Sequence, residues 1–114
     1  MSPYVIPGIK KFFPLAGFQP RPIEEVIIDT ILDFRGHERE KVFSKSRKKE
    51  LVHTRRLVSW FLRKKTTISL KRAGEIIGGK DHTTVIHHMH TLKDLMDTEL
   101  CTRQEVSILT AMLS

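Results

Sequence analysis

Residues 78–90, GGKDHTTVIHHMH, place an acid, four histidines and two threonines in thirteen positions directly after a glycine pair. Three chemistries could use such a cluster: metal binding, acid–base catalysis, or recognition of another molecule's hydrogen-bonding edge. Metal binding fits poorly. His87, His88 and His90 stand at i, i+1 and i+3, so only His87 and His90 share a helical face, and two histidines fall short of a tetrahedral set. Catalysis fits no better. Asp81 and His82 diverge on a helix, no serine or cysteine nucleophile stands beside a base, and no glycine-rich loop carries a lysine for phosphates. Neither a metal, a cofactor nor an enzymatic step is expected. Recognition suits the residue types: a carboxylate accepts from a cytosine amino group, an imidazole donates to a purine N7 or a phosphate, and a threonine offers a methyl to thymine.

The elements around the cluster must present it. Ser69 is a good N-cap for SLKRAGEIIGG, which buries Leu70, Ala73, Ile76 and Ile77 and stops where Gly78 or Gly79 can adopt a left-handed backbone. Asp81 caps the next helix, whose apolar stripe Val85, Met89, Leu92 and Met96 leaves its other faces free. Two short helices joined by the turn GGKD form a helix-turn-helix candidate, and the first residues of its second helix, His82, Thr83 and Thr84, would face a DNA major groove. His87, His88 and His90 are expected on a polar face near phosphates.

Upstream, PIEEVIIDTILDF reads as a helix with Pro22 in its first turn and Ile23, Val26, Ile27, Thr30, Ile31 and Phe34 inward. Residues 39–44 make at most one helical turn, and Lys45 to Lys49 a loop. A longer helix follows from about Glu50 to Lys65, burying Leu51, Leu57, Val58, Phe61 and Leu62, with Arg55, Arg56 and Arg63 on flanking faces. TRQE, from Thr102 to Glu105, is expected to be a capping box that opens a last helix with Val106, Leu109 and Met112 or Leu113 inward. Residues 1–20 hold four prolines and two glycines among Tyr4, Phe12, Phe13 and Phe18 and read as an arm. The arm could fold back on the domain or meet a protein partner.

One core is the expectation for 114 residues. The net charge of +7 is carried by one segment: Lys45 to Lys65 contains nine basic residues and one acid, while the remainder balances at 11 basic and 12 acidic. Ordinary helical surfaces mix both signs, so this concentration points to an anionic partner. A single cysteine, Cys101, excludes an intrachain disulfide and fits a reducing, cytoplasmic setting. No apolar run approaches the ~18 residues of a membrane span, so no membrane role is expected.

GGKDHTTVIHH closely resembles the signature of the C-terminal DNA-binding domain of the bacterial replication initiator DnaA, which runs Gly-Gly-Arg-Asp-His-Thr-Thr-Val. PIEEVIIDTILDF, the basic loop SKSRKKELVHTRRL and the spacing to SLKRAGEIIGGKDHTT match without an evident gap, so residues 21–114 look like this domain. The resemblance implies an all-α, Trp-repressor-like helix-turn-helix bundle of about five to six helices that binds double-stranded DNA. It implies base contacts from Asp81, His82 and Thr83 in the major groove and from Arg47 in the minor groove. Lys45, Lys48, Lys49, Arg55, Arg56, Lys71, Lys80, Thr84 and His87 would lie along the DNA backbone.

Departures from the family pattern refine this expectation. Lys71 stands where the family often has a proline, Lys80 replaces an arginine, and Arg56 replaces a glutamine. These changes keep phosphate affinity, whereas lysine at 80 loses the bidentate fork of arginine. The family's ATPase domain is absent from these 114 residues, so a chain beginning at Met1 would be a stand-alone, nucleoid-associated reader that neither hydrolyses ATP nor melts an origin. Two rivals remain open: a transcriptional regulator of phage or mobile-element origin, and a basic protein-interaction module. A metal-dependent nuclease lacks its carboxylate cluster.

Overall fold

The computed structural model describes residues 22–113, so the arm at residues 1–20 and the expected domain boundaries at residues 21 and 114 lie outside the described residues. Within them the chain forms six helices and no strand: α1 (Ile23–Arg35), α2 (Arg39–Val42), α3 (Lys49–Lys65), α4 (Leu70–Ile76), α5 (His82–Thr98) and α6 (Leu100–Met112). The expected all-α bundle is present. α5 is its hub, packed against α3, α4 and α6, while α1 leans chiefly on α3. Among the described residues no helix is long and apolar enough to cross a membrane.

The core gathers Ile27, Ile31, Leu57, Val58, Phe61, Leu62, Ala73, Ile77, Val85, Leu92 and Leu109, all essentially removed from water. The inward residues expected in the long basic helix are all buried. In α1 the stripe is rotated. Ile28 and Leu32 join Ile27 and Ile31 inside, whereas Ile23 is 49% exposed and Val26 is exposed too. This corrects the expected inward set. Apolar residues occupy both flanks of α1, so its periodicity admits two neighbouring stripes, and packing against α3 selects one. Pro22 precedes the helix rather than entering it, and Gly36 closes it in the left-handed region at φ 72°.

The last helix also starts earlier than its expected capping box. α6 begins at Leu100, which leaves Thr102 inside it, 2% exposed and donating to the Glu99 carboxylate at 3.0 Å. Glu105 is drawn away from a capping role by distant partners: its two oxygens meet Arg35 Nη1 at 2.5 Å and His53 Nε2 at 2.9 Å, tying α6 to α1 and α3. Thr54 Oγ1 extends this network to Arg35 Nε at 3.2 Å and His37 Nδ1 at 2.9 Å. Partners 52 to 70 residues apart leave no local pattern in the chain.

Candidate nucleic-acid interface

The turn between α4 and α5 is built by main-chain contacts that require glycine. Lys80 N donates to Gly74 O at 2.8 Å and Gly79 N to Glu75 O at 3.2 Å, folding the turn back over the end of α4. A Cβ at Gly74 would stand 2.1 Å from the Lys80 carbonyl oxygen, so the close approach of the two segments depends on its absence. Gly78, at φ 116°, combines a backbone that side chains rarely adopt with a Cβ site 2.6 Å from Phe43 O.

Both caps form as the residue types predict. Ser69 Oγ accepts from Arg72 N at 3.1 Å, and Asp81 Oδ1 accepts from Thr84 N at 3.0 Å and from Thr84 Oγ1 at 3.1 Å. These hydrogen bonds hold the Asp81 carboxyl below its ordinary carboxylate value, with a smaller contribution from His82. Asp81 therefore stays an acceptor, and Oδ2 is not needed for the cap. His82, Thr83 and His87 are exposed along α5, and Thr84 is half-buried with its hydroxyl turned back to the cap. Lys71 and Lys80 join Asp81 and His82 around a concavity of about 390 Å³, which Glu75 and Gly79 complete.

A second concavity, about 370 Å³, is lined by Arg47, Lys49, Val52, His53 and Arg56. Arg56 Nε is shielded there without a hydrogen-bond partner among the described residues. Sequence reasoning missed His53, whose orientation is set by Glu105 across the bundle. Lys45 and Lys48 are exposed on the intervening loop. That loop is shaped by serines: Ser44 Oγ accepts from Ser46 N at 3.2 Å and Ser46 Oγ from Lys48 N at 3.3 Å.

Two expected surface residues are inside. Arg55, expected on a flanking face, is 5% exposed; its Nε donates to Val42 O and its Nη2 to Ser44 O at 2.8 Å. Burial pulls its pKa below the ordinary arginine value. The end of α2 and the loop after it leave carbonyls pointing inward, and a guanidinium is the donor that reaches two of them. His88, expected on the polar face, is 7% exposed. Ser59 Oγ gives its hydrogen to Arg55 O at 2.9 Å and so accepts from His88 Nδ1–H at 3.2 Å. Desolvation, reinforced by the positive charges of Arg56, His87, Arg55 and Lys80, lowers the His88 pKa to about 4. The charges of Arg56 on α3 and of Lys80 in the glycine turn both reach His88. His90 remains exposed. Among the described residues, no three metal-ligating side chains come together.

The model of the bacterial DnaA protein helix-turn-helix matches residues 24–92. The chain is 34% identical over 85 residues to the chromosomal replication initiator protein DnaA of Thermus thermophilus, a match covering 72% of this chain and 20% of that protein. It is 32% identical over 89 residues to the protein of the same name from Ehrlichia ruminantium, covering 78% of this chain and 19% of the relative. Against that from Gloeobacter violaceus the identity is 38% over 64 residues, covering 56% and 14%. The chain thus spans about a fifth of the length of the first two relatives. The matched segment takes in α4, the glycine turn and α5 as far as Leu92, and the chain belongs to the bacterial DnaA helix-turn-helix family.

Proposed function

We propose that this domain binds double-stranded DNA sequence-specifically, at a DnaA-box-like site, in a role tied to replication initiation or its regulation. The observation that carries the reading is the start of α5. Asp81, His82 and Thr83 stand exposed there, Asp81 and His82 lining one concavity with Lys71 and Lys80, while Arg47, Lys49 and Arg56 line a second. Asp81, His82 and Thr83 would read base edges in the major groove. Arg47 would enter the minor groove, where its effect depends on groove width. Lys45, Lys48, Lys49, Arg56, Lys71, Lys80, Thr84 and His87 would neutralise or hydrogen-bond phosphates, which supply much of the affinity without sequence information. Arg55 acts on DNA through the loop it holds rather than by direct contact. The tie to replication rests on the names of the relatives, and no catalytic step is assigned to these residues.

Selection of bound sequences from random duplexes tests this function and should return a defined motif. Thr83→Ala should then lose about 1–3 kcal/mol on the selected site and little on a scrambled one, with unchanged circular dichroism. No motif, or equal losses on both duplexes, would overturn the reading.

A further inference from the structure

A cleft between α3 and α5 lies outside both concavities described above. Trp60 and Met89, each half-buried against the core, line it together with the exposed Lys64, His90 and Lys93, around a volume of about 230 Å³. Lys64 Nζ sits 4.8 Å from the Trp60 ring centroid, a cation–π contact that holds a positive charge at the rim. Not one of the five lining residues is acidic. An apolar floor with a cationic rim is complementary to an apolar side chain flanked by carboxylates. A DNA backbone offers the anions but has only sugar edges to set against an indole and a thioether. His90 follows His82 by eight residues, about 12 Å along the helix axis, so the cleft is displaced from the exposed start of α5.

We propose that the Trp60–Met89 cleft docks an acidic segment of a partner protein, with one aromatic or large aliphatic side chain seated between α3 and α5 and its neighbouring carboxylates on Lys64, His90 and Lys93. The cleft has room for one anchor, so the contact is of the small, transient kind. It needs no residue at the start of α5, and the partner can bind whether or not DNA is present.

Trp60 is the only tryptophan in the chain and reports directly on its own cleft. The probe is a synthetic peptide with a central phenylalanine between pairs of glutamates, compared with one carrying glutamines instead and one carrying serine at the centre. Titration into the DNA-free protein should change Trp60 emission saturably with the acidic phenylalanine peptide, and about tenfold more weakly with either control. Lys64→Gln combined with Lys93→Gln should weaken the peptide by a similar factor at unchanged circular dichroism. Repeating the titration in the presence of saturating duplex, chosen by selection or of random sequence, should leave the peptide affinity within about threefold. Absence of a saturable response, or equal responses to all three peptides, would overturn the proposal. Displacement of the peptide by duplex would also overturn it and assign the cleft to the phosphate backbone. Neither outcome bears on whether α5 reads bases, which the Thr83 variant decides separately.

Discussion

The two edges proposed to meet DNA are held in opposite ways. At the α4–α5 edge the main chain closes on itself: Lys80 N finds Gly74 O, Gly79 N finds Glu75 O, and the side chains of His82 and Thr83 are left free in solvent. At the α2–α3 edge main-chain bonds run only as far as Ser44 N to Lys41 O, and the buried guanidinium of Arg55 supplies donors to Val42 O and Ser44 O. A turn satisfied by its own backbone leaves its side chains for a ligand. A loop satisfied by a side chain withdraws that side chain's charge from the surface. Arg55 and Arg56 are neighbours of the same type, yet one is committed to the loop and the other lines a concavity.

The α4–α5 edge is most vulnerable at Gly74. Adding a methyl there drives a Cβ against the Lys80 carbonyl with no flexible group to yield, so Gly74→Ala should destabilise the fold by about 3 kcal/mol or more in denaturant unfolding. A wild-type midpoint would show that the turn is not held by this close approach.

Arg55→Ala tests the opposite edge. Loss of a charged donor that serves two inward carbonyls should cost about 2–3 kcal/mol of stability. The disordered loop should then weaken binding to selected and random duplex together. Full stability combined with reduced DNA binding would instead make Arg55 a direct phosphate ligand.

His88, buried on α5 against Ser59 of α3, is a third group whose charge the fold controls. Its buried form is neutral: the unfolded chain takes up a proton near pH 6.5, the folded chain only near 4. The stability tied to neutral His88 is therefore complete above pH 6.5 and declines as pH falls toward 4. Between pH 7 and pH 5 the loss should be about 2 kcal/mol. In His88→Gln the acid-induced loss should shrink by about that amount. An unchanged pH dependence in the variant would show that His88 is not the group being protonated.

Much of the architecture was legible in the chain because it follows from local chemistry. Ser69 and Asp81 cap their helices through bonds spanning three residues, the apolar stripes of α3 and α5 repeat at helical spacing, and the glycine pair ends α4. The exposure of Asp81, His82 and Thr83 follows from the same pattern, since a cap and its next two residues precede the first buried position, Val85. Tertiary structure decided what depends on distant partners. It chose between the two apolar stripes of α1, buried Arg55 and His88 among polar groups, and converted the expected capping Glu105 into a link to Arg35 and His53. Periodicity tells which residues share a face, but only the packing of one helix on another tells which face is covered. A charged side chain likewise shows its sign in the sequence, whereas the unsatisfied carbonyls that draw it inward exist only once the chain has folded.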